Sequence, residues 1–276
     1  MSVLYIVNPI SGNGKKRRIV SHLKGRVEFT RYAGHAEILA REASEDTVVA
    51  VGGDGTVNEV ARGLVGTGKT LGIIPCGSGD GLARCLGITA ANALRVIEGG
   101  KTRALDWGII DSKPFFSVCG VGIDAMVSER FASAGKRGLR TYIREALGLW
   151  KTFEPSEYEL TVDGQRQLLK AAIITVGNSN QWGNNAHITP LADPGDGLLD
   201  ITVIRPFRTA DIPALVLRLF LGNIHRSRKA LCLKGKDIRI VRPSEGAAHF
   251  DGDCFSAGKE LTVRISDSPL KVLASE

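Results

Sequence analysis

Apolar positions along this chain follow two different rhythms. Up to about residue 120, unbroken apolar runs alternate with runs at helical spacing. Residues 3–7, 47–51 and 71–74 are continuous apolar, small or β-branched stretches, as expected of parallel strands buried on both faces, and about 105–110, interrupted by Asp106, reads as a further strand. Between them, 14–24, 34–44, 56–66 and 80–98 predict amphipathic helices. The run Val57, Val60, Ala61, Leu64 and Val65 is the clearest case. This alternation predicts an α/β domain with a parallel sheet. Beyond residue 120 a long basic amphipathic stretch covers 126–153. Short β-rich runs then follow at 158–164, 169–178, 196–207, 236–243, 260–266 and 270–275, interrupted by a helical run at 209–223. Their hairpin-like spacing predicts an antiparallel sheet or sandwich. The expected organisation is an α/β domain over 1–122 and a β-rich domain over 123–276, with a cleft between them and the last strand free to return to the first domain.

Three of the predicted strands in the first half end in glycine-rich turns that open helices. The central one is TVVAVGGDGTVNEV at 47–60. Bare backbone N–H groups and the positive end of a helix can meet a phosphate there, because no Cβ intrudes. The carboxylate inside that turn, Asp54, repels a naked phosphate. It suits a metal-bridged phosphate or removal of a proton from an attacking hydroxyl. The same device recurs at LGIIPCGSGDGLAR (71–84), where Ser78 or Asp80 can cap the helix. It also occurs at VLYIVNPISGNGKKRR (3–18), with Asn8, Pro9, Ser11 and Gly12. In an open α/β sheet such turns emerge at the carboxyl ends of strands, where ligands bind.

Composition narrows the class. The chain has 276 residues, 43% of them hydrophobic, and a net charge of +7, which favours anionic partners: nucleotide, acidic lipid surface or nucleic acid. Its basic residues gather at 15–18, 136–144 and 225–229, but aromatics are only 6% and do not interleave with them, which argues against a nucleic-acid binder. Five cysteines without a CxxC pair read as reduced thiols in a cytoplasmic protein. The start MSVLYIVNP reads as a strand, not a signal peptide. No apolar run approaches the ~20 residues that span a bilayer. The greasiest region, 212–224, is interrupted by Arg218, so membrane contact is expected to be peripheral.

The second half adds acids. Asp193, Asp196 and Asp200 lie beside Pro194, Gly195 and Gly197, where carboxylates and turn carbonyls can hold Mg²⁺ or Ca²⁺; the competing reading is a polar turn before a strand. Asp251 and Asp253 are two apart and, if extended, face the same way as a metal-binding and proton-accepting pair; the competing reading is a hairpin turn. Asp124, among apolar and glycine residues, is either a helix cap or a contact for a substrate head group.

In order and spacing, VNPISGNGKK, VGGDGTVNEV, IIPCGSGDGLAR, GVGIDA, DGLLD and DGDCF resemble the diacylglycerol kinase catalytic domain superfamily, which includes bacterial soluble diacylglycerol and lipid kinases and the sphingosine and ceramide kinases. The resemblance spans nearly the whole chain. It implies ATP- and Mg²⁺-dependent phosphorylation of a lipid hydroxyl, diacylglycerol-like or sphingoid-like, with the active site between an α/β nucleotide domain and a β-rich domain. It assigns nucleotide contacts to Asn8, Pro9, Ser11 and Gly12, to Thr30, and to the central loop from Gly52 and Gly53 through Asp54, Gly55 and Thr56 to Asn58 and Glu59. Gly77 and Ser78 match the second loop. Lys136, Arg137 and Arg140 resemble phosphate-approaching bases of the sphingosine kinase branch. Asp196, the Leu198 carbonyl and Asp193 match a structural Mg²⁺ site of bacterial members, although Asp193 stands where the family has Lys. Asp251 and Asp253 match the family's Asp-Gly-Glu, with Asp253 replacing Glu one methylene shorter and a metal contact. Asp124 and Asp80 fall at substrate positions, Asp80 where many members have Asn. The bacterial branch gives proton removal to the Asp251/Asp253 pair and the sphingosine kinases to Asp54. The reading adopted here takes Asp251 as base and Asp54 as organiser of metal and water.

Two other functions fit less of the chain. An NAD kinase-like enzyme also carries GGDGT with an Asn-Glu pair, but here Asn58 and Glu59 follow at once. A catalytically impaired lipid- or nucleotide-binding regulator would explain the departures at Asp80 and Asp253. An exposed edge in the β-rich half offers a homodimer surface.

Overall fold

The computed structural model describes residues 2–11, 20–133, 148–150 and 152–275. Its contacts divide the chain into two units, Met1–Asp106 with Asp267–Glu276, and Trp107–Ser266.

The first unit is an α/β layer built on one six-stranded sheet. In chain order its strands are β1 (Val3–Val7), β2 (Arg26–Phe29), β3 (Thr47–Gly52), β4 (Thr70–Pro75), β5 (Thr102–Leu105) and β18 (Leu270–Leu273), and their order across the sheet is β2-β1-β3-β4-β18-β5. All neighbours are parallel except β18 and β5. Every residue of β3 is buried, which is why its sequence does not alternate. Helices α1 (His35–Glu42), α2 (Asp54–Leu64), α3 (Gly81–Cys85) and α4 (Ala93–Gly99) connect the strands. Two differences from the sequence reading have local causes. The predicted helix over 80–98 is two helices, because Gly87 takes a left-handed φ of 71° and Asn92 accepts the Thr89 N–H, closing a turn between them. The edge strand β2, short and half exposed, carries too little apolar signal to be read.

The second unit is a sandwich of two antiparallel six-stranded sheets. One has the order β10-β9-β14-β17-β6-β7 and the other β13-β12-β11-β8-β15-β16. The first holds β6 (Gly108–Ile110), β7 (Lys113–Phe115), β9 (Ser156–Val162), β10 (Gln165–Ala171), β14 (Asp237–Val241) and β17 (Glu260–Ile265). The second holds β8 (Val118–Gly122), β11 (Ile173–Gly177), β12 (Leu199–Ile204), β13 (Ala230–Gly235), β15 (Gly246–Phe250) and β16 (Asp253–Ala257). Leu160, Ile238 and Leu261 from one sheet meet Val121, Ile174 and Ile201 from the other in one core. Each such fully buried side chain contributes roughly 1.5–3 kcal/mol. Helices α5 (Ile123–Ser133) and α6 (Ile212–Phe220) bring smaller apolar clusters, around Ile123 and Val127 and around Leu215 with Ile204 and Ile224.

The division between units falls at Asp106/Trp107, not after residue 122. The run 105–110 reads as one strand in sequence. In the structure Leu105 ends β5 in the first sheet, and Gly108–Ile110 pairs with β17 in the sandwich. The chain returns to the first sheet in β18, beside β4 and β5.

Candidate active site

The three glycine loops of the first unit leave β1, β3 and β4, which are neighbours in the sheet, so their carboxyl ends lie side by side. Hydrogen bonds join them. The Asn8 N–H donates to Val51 O at 3.1 Å and the Cys76 N–H to Gly52 O at 2.7 Å. Asn8 Nδ2 donates to Thr56 Oγ1 at 3.1 Å. The Thr30 N–H donates to Val7 O at 2.9 Å, which sets Thr30 beside the first loop. Glycine is required by close approach. A Cβ on Gly77 would sit 2.8 Å from the Gly53 Cα, and one on Gly79 would sit 2.5 Å from Asp54 Oδ2. Gly53 precedes the first turn of α2 and provides no side-chain cap. First-turn N–H groups without a side-chain cap are the donors that bind phosphate at helix starts.

Asp54 is engaged within this cluster. Its Oδ2 accepts the Asp80 N–H at 2.8 Å and its Oδ1 accepts the Gly81 N–H at 2.7 Å, so one loop's carboxylate caps the helix that the next loop opens. Burial pushes its pKa up, against the opposing pull of those N–H groups and of Arg84. Asp80 adopts a left-handed φ of 48° and accepts the Gly77 N–H on Oδ1 at 3.0 Å. Burial first, and then the charge of Asp54, push Asp80 up to about 6. Two acids whose charges oppose one another create a local preference for a cation. Glu59 is directed elsewhere: its Oε2 accepts the Ala36 N–H at 3.1 Å in the first turn of α1. Gly55, Gly77 and Ser78 are exposed, whereas Thr56 and Asn58 are buried.

The acids of the second unit do different work. Asp251 and Gly252 form the two-residue turn between β15 and β16, with φ of 50° and 88°, the double left-handed geometry of a tight hairpin turn. The Asp251 carboxylate reaches back to the chain before β8. Its Oδ2 accepts the Phe116 N–H at 2.8 Å, and its Oδ1 accepts Ser117 N–H at 2.8 Å and Val118 N–H at 3.2 Å. Asp253, in contrast, is exposed at the start of β16. Asp124 is buried at the start of α5. Its Oδ2 accepts from His249 Nε2 at 3.0 Å and Thr175 Oγ1 at 3.2 Å, and its Oδ1 accepts the Ala125 N–H at 2.9 Å. In the 193–200 turn, Asp196 Oδ1 accepts the Leu198 N–H at 3.0 Å, while its Oδ2 accepts Lys234 Nζ at 2.8 Å. The same ammonium lies 3.1 Å from Asp200 Oδ2, because Lys234 is the cross-strand partner of Asp200 in the β12–β13 register. Burial raises the Asp200 pKa against the pull of Lys234.

Comparison with known proteins then decides the family. A diacylglycerol kinase catalytic domain model matches residues 2–110, and a YegS C-terminal NAD kinase beta sandwich-like domain model matches 117–274. A diacylglycerol kinase of Mycobacterium tuberculosis is 30% identical over 98% of this chain and 94% of its own. The chain belongs to the diacylglycerol kinase-like family of lipid kinases. A probable YegS-like lipid kinase of Chromohalobacter salexigens is 34% identical over 70% of this chain and 65% of its own length. A crystal structure of a putative diacylglycerol kinase from Bacillus anthracis superposes with a TM-score of 0.84 at 25% identity, covering 99% of this chain and 97% of that one. An NAD kinase from Archaeoglobus fulgidus shares the fold alone, at 15% identity and a TM-score of 0.59.

The kinase family implies ATP as the phosphate donor, and the joined loops of the first unit offer backbone N–H groups of the kind that bind phosphate. Four of the expected groups already have partners within the protein. Asp251 is held by three backbone N–H groups, and the turn at Asp251 and Gly252 breaks the extended geometry that would align its carboxylate with that of Asp253. Asp124 is buried, with His249 and Thr175 as its partners. Glu59 accepts the Ala36 N–H in the first turn of α1. The Asp193–Asp196–Leu198 set does not fit a resident Mg²⁺, because the Lys234 ammonium already takes the cation position against Asp196 and Asp200. His249 and Lys234 escaped the sequence reading. His249 could have been suspected from its place two residues before Asp251, whereas Lys234 gave no signal until strand register paired it with Asp200. Gly12, Lys136, Arg137 and Arg140 lie outside the described residues.

Proposed function

We propose that this protein transfers the γ-phosphate of Mg²⁺-ATP to the hydroxyl of a neutral glycerolipid of the diacylglycerol class. The observation that carries the reading is the joining of the segments that leave β1, β3 and β4 at adjacent strand ends, Asn8 to the β3 loop and Asp54 tying the β3 and β4 loops together. Phosphoryl transfer needs mainly positioning and neutralisation of charge, which backbone N–H groups at the start of α2 provide. The cation that accompanies ATP supplies neutralisation of the phosphate oxygens. Asp54 is a positioning residue that holds the α3 loop against the α2 loop. Asp80, raised to about 6, answers to a cation or a proton. Asp253 is the candidate base for the lipid hydroxyl, since Asp251 is committed to backbone and Asp253 is exposed. The engagement of Asp124 with His249 and Thr175 supports a neutral head group over an amine, hence diacylglycerol over sphingosine.

The test is labelled phosphate transfer from ATP to diacylglycerol, sphingosine, ceramide, phosphatidylglycerol and undecaprenol in mixed micelles, with NAD alongside. Labelled phosphatidic acid supports the proposal. Label on another lipid keeps the lipid kinase and overturns the substrate. Label on NAD alone, or none with ATP bound, overturns the reaction.

A further inference from the structure

Helix α6, Ile212–Phe220, reads IPALVLRLF, and Arg218 is its sole charged residue. A helix apolar all round belongs in a core or in lipid. Among the described residues only one side of this one is covered. Leu215 is buried, and Leu219 packs with it against Ile188, Ile204 and Ile224. On the other side Val216 is 45% exposed, Leu217 60%, Phe220 38% and Leu221 63%. With Pro213, these positions recur at three- and four-residue spacing, so they form one continuous outer stripe. Single exposed apolar residues need no explanation, but a contiguous set marks an interaction surface.

Charge identifies the partner. Residues 205–229 hold six Arg or Lys and a single acid, Asp211. That acid is already engaged, accepting the Arg208 N–H at 2.8 Å and lying 3.7 Å from Lys229 Nζ. The Arg205 N–H donates to Lys229 O at 2.8 Å and Lys229 Nζ to Pro206 O at 3.2 Å, which brings the two basic segments together next to the start of α6. Arg205, Arg208, Arg226 and Arg228 are exposed. An apolar stripe flanked by cations is complementary to a surface of anionic head groups above hydrocarbon, not to another protein's neutral groove.

We propose that the outer face of α6 docks this protein on an anionic lipid bilayer, with Leu217, Phe220 and Leu221 entering the interface and the 205–208 and 226–229 segments meeting the head groups. The proposal gives the lipid kinase reading its route to substrate and rests on that reading for its purpose, but the contact needs no catalysis. Phosphate transfer and docking therefore fail separately.

The experiment is sedimentation with vesicles of phosphatidylcholine, alone or with phosphatidylglycerol at about seven to three. The wild type should bind the anionic vesicles, and binding should weaken as salt shortens the Debye length to ~3 Å. Leu217→Glu with Leu221→Glu, both at exposed positions, should lower partitioning at least ~10-fold, in keeping with the loss of buried apolar area and the added repulsion. Arg226→Glu with Arg228→Glu should abolish the preference for anionic vesicles. A Leu217→Trp variant should shift its emission to the blue on binding; no shift overturns the assignment of this face. Equal binding by wild type and the Leu217/Leu221 variant overturns it too. So does a wild-type dimer, seen by light scattering without vesicles, that this variant dissociates, since the stripe would then be covered by a second copy.

Discussion

Asp80→Asn is the most informative single replacement in the loop cluster. The Asp80 carboxyl stands at about 6 against an ordinary 3.8, owing to burial and to the charge of Asp54. At 1.36 kcal/mol per pKa unit the difference is worth about 3 kcal/mol, and solvent screening at this partly exposed group reduces it to about 1.5 kcal/mol. The sign follows from linkage. A raised folded value means that the folded state holds the proton more tightly, so the contribution is fully present below about pH 3.8 and is lost as pH rises through about 6. Asn retains an Oδ1 to accept the Gly77 N–H and tolerates the left-handed backbone, but carries no charge to oppose Asp54. The wild type should therefore lose about 1.5 kcal/mol of local stability relative to Asp80→Asn between roughly pH 4 and pH 7. Tryptophan emission is the wrong reporter, because Trp107, Trp150 and Trp182 all belong to the second unit. Hydrogen exchange of peptides across 71–99 reads the right place. At pH 8 the variant should exchange about 10-fold more slowly there than the wild type, and the two should converge near pH 4. Parallel curves across that range would refute the account of an Asp54–Asp80 conflict.

Three further outcomes follow from the geometry. Asp251→Asn should cost about 2–3 kcal/mol in urea unfolding followed by tryptophan emission, since an amide nitrogen would face backbone donors; Asp253→Asn, at an exposed position, should lower kcat about 100-fold. Wild-type unfolding should be indifferent to EDTA or millimolar Mg²⁺, whereas Lys234→Met should lose about 1 kcal/mol and regain it with Mg²⁺, because Asp196 and Asp200 would be left without their cation. Gly77→Ala should weaken ATP binding at least ~10-fold in calorimetry while Gly99→Ala, whose added Cβ meets nothing within 4 Å, leaves it unchanged, since only the former forces apart two loop backbones.

Much of the first unit was legible because its physics is local. A buried parallel strand declares itself as an unbroken apolar run, and β3 does so at every position. A glycine turn before a helix declares itself by residue type, and the loops after β3 and β4 stand where they were expected; the loop after β1 is described as far as Ser11. That the three meet was an inference from fold class, and the Asn8–Thr56 and Asp54–Gly81 bonds made it concrete.

Residue type by itself determined that this chain builds a parallel α/β sheet and a β-rich partner, and that it carries the phosphate-loop signature of a lipid kinase family. Only the tertiary structure decided what each acid does. A carboxylate's role depends on which donors surround it, and those donors come from distant segments: Phe116 to Val118 for Asp251, His249 and Thr175 for Asp124, Lys234 for Asp196, the Asp80 and Gly81 amides for Asp54. Spacing along the chain reports which acids are near in sequence. Burial and hydrogen-bond supply, which separate a free carboxylate from a structural one, are properties of the fold.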